Sequence, residues 1–436
     1  MSDLLYICLD ATDASVENEV LAGHCEVRML GATSAAELKD SDLAAADVVA
    51  VWHTIWLDEA LFARLKKCRA IIRMGVGYDN VDTHAAARAK LPVCNIPDYG
   101  TEEVADSAMA LTLGLFRGVL CGASKLANGE SIRGADAIAA AVPYVKRVRD
   151  SVLGLVGLGR IGSAVALRAK ACGFDVVFYD PHREDGSDKA LGIRRAASLE
   201  ALLGESDCVS LHCLCNADTF GMMGAKEFGA MRQGTLLVNT ARGELIDEAA
   251  LADALRSGRV AAAALDVHCQ EPFARDEGAL AGAPNLYCTP HNAWYSPESR
   301  HEMRRKGAEA ALRALKEPTK SLRNVVNREE LLPFLMPSQD AGADALAPEA
   351  ASGLVDSLRT MAQPLMSQVS TIQDGAKQLG AAMDPRLAAR PADKPSPAAA
   401  PDNKATPKKS GVGPDFTGFF LINKDSEAYQ AVESSE

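Results

Sequence analysis

The sequence has no excess of basic residues, no long apolar run and no regular cysteine spacing. Its 436 residues carry 46 Lys and Arg against 58 Asp and Glu, a formal net charge of -12. A protein that binds nucleic-acid phosphates needs a basic surface, so we expect that this protein does not bind nucleic acid directly. No apolar run reaches the roughly 18 residues of a membrane helix, so no membrane span is predicted.

The eleven cysteines favour a reducing compartment. Their number is odd, and the first residues, MSDLLYICLDATD, lack the basic segment that begins a secretory signal. Both observations argue against a disulfide framework and favour the cytoplasm, the nucleus or both. Cys213 and Cys215 beside His212 leave a metal site as an alternative. Zinc sites usually need cysteine pairs two to four residues apart, so we predict no metal.

Proline is sparse up to residue 330 and common beyond it. Eleven of the 20 prolines lie in residues 331–436. Because this region has little apolar surface to offset ordering entropy, we predict a mostly disordered tail over 329–436. Within it, apolar residues at spacings of three and four predict a helix over 351–380. That helix either docks on the body or a partner, or forms only transiently.

Residues 1–330 alternate apolar strand-like segments with Ala- and Leu-rich helical ones. Helical stretches include 102–116 and 163–173, and nine strands are predicted, at 4–9, 47–52, 70–74, 152–157, 175–180, 208–213, 235–240, 262–267 and 286–290. Such alternation indicates an α/β, doubly wound architecture with parallel sheets covered on both faces. The strands are too many for one such sheet, so we expect two α/β domains with a cleft between them.

A glycine pattern predicts a dinucleotide site. The strand VLGLVG leads into Gly157-Leu-Gly159-Arg-Ile-Gly162 and then into a helix. In this context the first glycine permits a tight turn, the second lets a pyrophosphate approach the backbone, and the third lets the helix pack closely. The N-terminus of that helix favours the anion. Asp180 ends the next strand, where its carboxylate can accept hydrogen bonds from the ribose hydroxyls. The same carboxylate would repel a 2′-phosphate, so we predict NAD rather than NADP as the cofactor.

Three further segments place polar side chains directly after strands. These are VNTARG with Arg242, LDVHCQEP with Asp266 and Glu271, and TPHNAWYS with His291 and Trp294. Open α/β sheets bind ligands at the carboxyl ends of their strands. Taken singly, Arg242 could pair with a surface carboxylate, His291 could cap a loop and Glu271 could be solvated. Together, downstream of a dinucleotide motif, they favour a catalytic site.

The chemistry of a 2-keto acid suits these residue types. A guanidinium holds the carboxylate and polarises the keto oxygen, and an imidazolium protonates that oxygen as hydride arrives. A carboxylate beside the imidazole orients it and favours its protonated form. Arg242, His291 and Glu271 fit these roles. Asp266 is a candidate acceptor for the nicotinamide amide, with a loop cap as the alternative.

GLGRIG, VNTARG, ALDVH, EP and TPHNAWYS together resemble the D-isomer-specific 2-hydroxyacid dehydrogenase family over about residues 1–328. RMGVGYDNVD (73–82) and Trp294 are similar to its C-terminal-binding protein branch of NAD-sensing corepressors. The resemblance implies Arg242, Glu271 and His291 as catalytic residues. It implies Arg73, Val76, Gly77 and Trp294 as substrate-binding residues. It implies an NAD site lined by Val104, Val156, Gly157, Leu158, Gly159, Arg160, Ile161, Gly162, Asp180, Cys213, Thr219, Thr240, Ala241, Arg242, Asp266, His291 and Trp294.

The resemblance also implies an organisation and partners. A substrate domain would use residues 1–96 and 303–328, and an NAD-binding domain would occupy 97–302 and form a homodimer. The implied activity is reduction of a small 2-keto acid to a 2-hydroxy acid. The alternative is an NAD(H)-sensing corepressor that binds PxDLS-type peptides of transcription factors. The stretch matching the peptide groove, VRMLGATSA (27–35), brings Arg28 and little clear similarity.

Overall fold

The computed structural model describes residues 4–317 and 319–335. These residues belong to the first of two compact units of the chain, which spans residues 1–341. The predicted tail, including the helix proposed over 351–380, lies outside the described residues apart from its first positions.

The first sheet has five strands, all paired in parallel, in the order β2-β1-β3-β4-β5. Apolar, β-branched segments form its centre, where side chains are buried on both faces. The strands are β1 (Leu5–Cys8), β2 (Glu26–Met29), β3 (Val48–Val51), β4 (Ala70–Arg73) and β5 (Val93–Asn95). Four helices connect them or follow them: α1 (Ser15–Leu21), α2 (Asp40–Ala45), α3 (Glu59–Arg64) and α4 (Thr83–Arg88).

The second sheet has seven strands, also parallel, in the order β12-β11-β10-β9-β6-β7-β8. Successive strands are added on one side of β6 up to β8 and on its other side from β9 to β12. Such a switch in strand order opens a crevice at the carboxyl ends of the strands. The strands are β6 (Val152–Val156), β7 (Asp175–Tyr179), β8 (Arg194–Arg195), β9 (Cys208–Leu211), β10 (Thr235–Asn239), β11 (Val260–Leu265) and β12 (Leu286–Cys288).

Ten more helices complete the described fold. They are α5 (Thr101–Phe116), α6 (Val119–Ala127), α7 (Ala135–Ala141), α8 (Arg160–Cys172), α9 (Ser187–Leu191), α10 (Leu199–Glu205), α11 (Ala225–Ala230), α12 (Glu248–Arg256), α13 (Pro297–Lys316) and α14 (Arg328–Leu335). The chain returns to the first sheet through α13, whose apolar face packs on β3 and β4. The domain boundary predicted at 302/303 falls inside this continuous helix, and the other boundaries stay predictions.

We call the five-stranded sheet with its helices the first domain and the seven-stranded sheet with its helices the second. Each sheet is covered on both faces by separate apolar cores. In the described part of the chain, no single helix is long and apolar enough to cross a membrane. Helices α5 and α6 reach that length only as a pair bent by 74°, and α5 is packed in the core of the second domain.

The predicted fold class, two parallel α/β sheets, is confirmed, and each of the nine predicted strands is present. Three strands were missed, namely β2, β5 and β8. All three are edge strands of their sheets. β2 and β8 carry charged residues and β5 has only three residues, so none of them shows a long apolar run.

Candidate functional site

The glycine loop after β6 has the geometry that a dinucleotide needs. Gly157 has φ +94°, and a Cβ there would lie 2.8 Å from the backbone of His212 and Cys213. A Cβ on Gly162 would lie 2.4 Å from the carbonyl oxygen of Gly157, so only glycine lets α8 approach this closely. A Cβ on Gly159 would meet no protein atom within 4 Å. The backbone at Gly159 is therefore open to a ligand, beside the N-terminus of α8.

Asp180 closes the other side of this loop. Its Oδ2 accepts a hydrogen bond from the backbone N–H of Leu158 at 2.8 Å, and its Oδ1 accepts one from His182 at 2.9 Å. The carboxylate thus lies beside the glycine loop, as the sequence predicts for a ribose-binding residue. Arg195 donates to the carbonyl oxygens of Asp180 and Arg183, which orders the loop after β7.

The remaining residues predicted to line the cofactor mostly follow strand ends of the same sheet. Val156 ends β6, and Arg160 and Ile161 begin α8. The others fall after β9 (Cys213, Thr219), β10 (Thr240, Ala241, Arg242), β11 (Asp266) and β12 (His291, Trp294), whereas Val104 lies in the first turn of α5. The Thr240 hydroxyl is buried and finds no hydrogen-bond partner among the described residues. A bound ligand would satisfy it, so these residues fit a dinucleotide.

His291 and Glu271 form a direct pair. Nδ1 of His291 lies 2.7 Å from Oε2 of Glu271, and the other carboxylate oxygen accepts the backbone N–H of His268 at 3.1 Å. Partial burial opposes ionisation of Glu271, but the hydrogen bond and charge of His291 outweigh it and lower the pKa of this carboxyl. The pair leaves Nε2 of His291 as the ring atom available to a substrate.

Asp266 holds the loop that carries His291. Its carboxylate accepts hydrogen bonds from the Thr289 hydroxyl at 2.6 Å, from Asn292 N–H at 3.1 Å and from Ala293 N–H at 2.9 Å. His291 itself has φ +54°, a left-handed conformation that a non-glycine residue keeps only when its surroundings fix it. Three bonds leave one lone pair of the carboxylate, so the predicted contact with the nicotinamide amide stays a prediction.

Two guanidinium groups face the cleft from opposite domains. Arg73, at the end of β4, donates to Asn80 Oδ1 at 3.2 Å and to the Met74 carbonyl at 3.0 Å. Arg242, after β10, donates to Asp79 Oδ2 at 2.6 Å and to the Ala241 carbonyl at 2.6 Å. Burial and then the charge of Arg242 lower the pKa of Arg73 to about 10. Two neighbouring cations favour an anionic ligand.

The predicted substrate residues of the first domain lie against these cations. Asn95 Nδ2 donates to the carbonyl of Val76 at 2.7 Å and fixes the loop after β4. A Cβ on Gly77 would lie 1.5 Å from Nη2 of Arg242. The loop therefore approaches Arg242 as closely as a backbone can. Trp294 packs edge-on against Trp52 and Tyr99, with ring centroids 6.3 and 6.1 Å apart, and forms an aromatic wall shared by both domains.

Three further residues, His53, Asp79 and Asn80, lie at the candidate site and were not predicted from the sequence. The His53 ring centroid lies 6.3 Å from that of His291, and burial, followed by the charges of Arg73 and His291, lowers the pKa of His53. Asp10 holds the His53 loop by accepting Trp52 N–H and Thr54 N–H. Asn80 donates to the carbonyls of Trp52 and Ile55. Their position after strands β3 and β4 was the available signal.

The cysteine alternative gains no support in the part of the chain that the structure describes. Within residues 4–317 and 319–335, no group of three or more His, Cys, Asp and Glu side chains is arranged to hold a metal ion. Cys213 instead contacts the Met222 sulfur at 3.7 Å, and burial raises the pKa of its thiol to about 11.

The fold and the glycine loop define a protein of two parallel α/β domains with a loop of the dinucleotide-binding type. Residues 109–293 match the model of the D-isomer specific 2-hydroxyacid dehydrogenase NAD-binding domain. The chain is 37% identical over 261 residues to a glyoxylate reductase from Korarchaeum cryptofilum, covering 58% of this chain and 75% of that protein. The chain belongs to the D-isomer specific 2-hydroxyacid dehydrogenase family, and is by family an NAD-dependent oxidoreductase.

Two further similarities refine this placement. The chain is 36% identical over 330 residues to C-terminal-binding protein 1 of Caenorhabditis elegans, which covers 75% of this chain but only 45% of that protein. A crystal structure of an NADPH-dependent glyoxylate/hydroxypyruvate reductase from Sinorhizobium meliloti, in complex with NADP and malonate, matches with a TM-score of 0.65 and 27% identity. That match covers 76% of this chain and 98% of the reductase.

Proposed function

We propose that this protein reduces a small 2-keto acid to a D-2-hydroxy acid with NADH. One observation carries the proposal: Nδ1 of His291 lies 2.7 Å from Oε2 of Glu271, in loops after strands of the second domain, and His53 of the first domain lies near both His291 and the Arg73 guanidinium. An acid–base pair beside a cationic site suits a keto acid, which brings a carboxylate and a carbonyl that must gain a proton.

The residues divide the work between them. Arg73 and Arg242 would bind the substrate carboxylate, with the backbone at Val76 and Gly77 close by. Arg242 would also polarise the keto oxygen. His291 would donate the Nε2 proton to that oxygen, and Glu271 would stabilise the imidazolium before the transfer. Trp294, Tyr99 and Trp52 would contact the substrate side chain and exclude water.

The cofactor would be held by the glycine loop, Asp180 and the strand-end residues named above. When bound, NADH supplies the hydride. The helix α8 N-terminus and the Gly159 backbone would receive the pyrophosphate, and Asp180 the adenosine ribose. The Asp180 carboxylate next to the ribose would repel a 2′-phosphate, which supports NADH over NADPH as the cofactor. A similar reductase, by contrast, is crystallised with NADP.

A keto-acid panel tests the proposal. NADH oxidation is measured with glyoxylate, pyruvate, hydroxypyruvate and a bulkier thioether keto acid, in the wild type and in His291→Ala. His301→Ala is the matched control, because His301 is an exposed histidine that only approaches Glu19 at 3.8 Å. We expect His291→Ala to lose about 10² to 10⁴ in rate and His301→Ala to lose none. Equal inactivity of all three proteins, with NADH still bound, would reject the enzyme proposal.

A homodimer through the second domain is part of the proposal. Val119 and Leu126 of α6 and Ile138 of α7 are apolar side chains that are more than half exposed on this domain. Val119 and Leu126 are seven residues apart and so lie on one face of α6, and an exposed apolar face is typical of a partner interface. Light scattering of the wild type and of Leu126→Glu tests it: a wild-type dimer that the variant weakens supports the interface, and a monomeric wild type rejects it.

A second candidate function is an NAD(H)-responsive, peptide-binding corepressor in the nucleus or cytoplasm. The 330-residue similarity to C-terminal-binding protein 1 supports it. In the stretch matching the peptide groove, however, β2 carries Arg28, which pairs with Glu26 and Asp42 at 2.8 Å each. Pull-down with PxDLS peptides, with and without NADH, tests this function. Binding no stronger than to a scrambled peptide in both conditions would remove it.

A further inference from the structure

Arg242 is held by a residue of the opposite domain. Asp79 follows β4 in the first domain, and Arg242 follows β10 in the second, 163 residues later. Nε of Arg242 lies 2.6 Å from Oδ2 of Asp79. This ion pair therefore bridges the cleft between the two domains at the guanidinium to which the proposed function assigns substrate binding.

The ion pair fixes which edge of Arg242 is available. A guanidinium has five N–H donors in a rigid plane. Nε is taken by Asp79, and one Nη1 hydrogen by the carbonyl of Ala241 at 2.6 Å. Nη2 lies against the Gly77 backbone, where a Cβ would come within 1.5 Å. The free Nη edge thus points at the same loop that is expected to receive the substrate carboxylate.

A contribution to stability does not account for this arrangement. The Asp79 side chain is 43% exposed, and ion pairs with an exposed partner add little to stability. The negative charge of Asp79 alone does not account for the ion pair with Arg242 either. Removing a negative charge beside Arg242 and Arg73 would strengthen the attraction for a substrate anion, so a carboxylate at this point is useful for geometry and weakens the field.

We infer that Asp79 is a positioning residue: it orients the Arg242 guanidinium across the cleft and makes that orientation depend on the relative placement of the two domains. This inference rests on the proposed function of Arg242. It predicts that an acceptor at position 79 matters more than its charge. Asn keeps an oxygen that can accept the Nε–H, whereas Ala leaves Arg242 free to rotate.

The test compares Asp79→Ala and Asp79→Asn with Asp106→Ala. Asp106 is a matched control, because it holds Nε of Arg168 at the same 2.6 Å, between α5 and α8 of the second domain. The readouts are kcat and KM for the best keto acid, the Kd of NADH from its fluorescence, and the Kd of oxamate for the protein–NADH complex. Oxamate is an unreactive keto-acid analogue, so its binding does not require turnover.

We expect Asp79→Ala to lower kcat/KM about ten- to a hundred-fold and to weaken oxamate to a similar extent, with NADH affinity unchanged. Asp79→Asn should retain most of both, and Asp106→Ala should match the wild type. If Asp79→Ala behaves like Asp106→Ala, or if both Asp79 variants bind oxamate more tightly, the positioning role is overturned while an active wild type keeps the proposed function. If the wild type is inactive, the Kd of oxamate still decides. Weaker oxamate binding in Asp79→Ala alone supports the positioning role, and oxamate binding that is equal in all the variants, or not detectable in the wild type, overturns it.

Discussion

Nδ1 of His291 lies 2.7 Å from Oε2 of Glu271, and this contact joins two loops that follow different strands of one sheet. Asp266 fixes the histidine loop, and the backbone N–H of His268 fixes the carboxylate. The pair therefore has one orientation, with Nε2 left for chemistry. The proposed role of His291 as the acid needs such an arrangement, because the imidazole must keep its proton until a substrate takes it.

Replacing Glu271 by Gln should narrow the pH range of activity. Partial burial opposes ionisation of Glu271, but the hydrogen bond and charge of His291 lower the pKa of this carboxyl, so at neutral pH it places a negative charge beside Nδ1 of His291. Without that charge, keto-acid reduction should decline at a lower pH than in the wild type and fall about ten-fold at neutral pH. The kcat/KM profile from pH 5 to 9 measures this. Glu309→Gln, at an exposed pair with Arg305, should leave it unchanged; a Glu271→Gln profile equal to that of the control would contradict the assignment.

Replacing Gly159 by Ala should weaken NADH without destabilising the protein. Its φ of -72° suits any residue, and a Cβ there meets no protein atom within 4 Å, so only a ligand would collide with it. We expect NADH affinity to fall about ten-fold, or 1.4 kcal/mol, and the unfolding midpoint to stay the same. Gly122→Ala is the control, because a Cβ at Gly122 also meets no protein atom within 4 Å, but Gly122 lies in α6 and not in the glycine loop. Equal NADH affinities in the two variants would show that the pyrophosphate binds elsewhere.

Replacing Asp180 by Ser should reduce the preference for NADH over NADPH. The carboxylate stands beside the glycine loop through the Leu158 N–H, where it would repel a 2′-phosphate. A hydroxyl removes the repulsion and can still accept the backbone N–H. The ratio of kcat/KM for NADH to that for NADPH should fall by about five-fold or more, since one close charge pair contributes at least about 1 kcal/mol. Asp175→Ser, at the opposite end of β7, should leave the ratio unchanged. An unaltered ratio in Asp180→Ser would reject its role in cofactor choice.

His212 should make the fold sensitive to acid. Burial lowers the pKa of His212 to about 4, and its Nε2 pairs with the Ser210 hydroxyl at 2.9 Å. Between about pH 6.5 and 4 the unfolded state takes up a proton that the folded state does not, so stability falls as the pH falls through this window. The loss should be about 1 to 3 kcal/mol. Denaturant unfolding at pH 7 and pH 4.5 measures it. His212→Asn, uncharged at both values, should lose less than the wild type, and an identical loss would exclude His212 as the cause.

The sequence predicts the centre of each sheet better than its edges. Central strands such as β3 and β6 are apolar along their whole length because both faces are buried, and that run is visible without any structure. β2 and β8 lie at edges, where partial exposure permits Glu26, Arg28, Arg194 and Arg195. The sequences of β2 and β8 therefore show no strand pattern, and these segments become strands only by pairing with a neighbouring strand.

The placement of the second-domain residues of the candidate site was predictable for a similar reason. Arg242, Glu271 and His291 each follow a strand, and parallel strands bring their carboxyl ends to one edge. The first-domain part was less so. Asp79 meets Arg242 only because two separate sheets face each other across a cleft, and no spacing rule connects residues of different sheets. His53 becomes recognisable only when its ring is found 6.3 Å from that of His291.

The most direct test is analysis of the product formed with NADH from pyruvate or hydroxypyruvate, whichever reacts faster, because their products have a stereocentre and the product of glyoxylate does not. Chiral chromatography of the reaction, with NADH consumption followed in parallel, gives both the identity and the hand of the product. We expect the wild type to form one D-2-hydroxy acid from one keto acid for each NADH oxidised to NAD⁺, and His291→Ala, with NADH still bound, to form it at a rate lower by about 10² or more. An L-product, or equal product formation by His291→Ala, would contradict the proposed reaction.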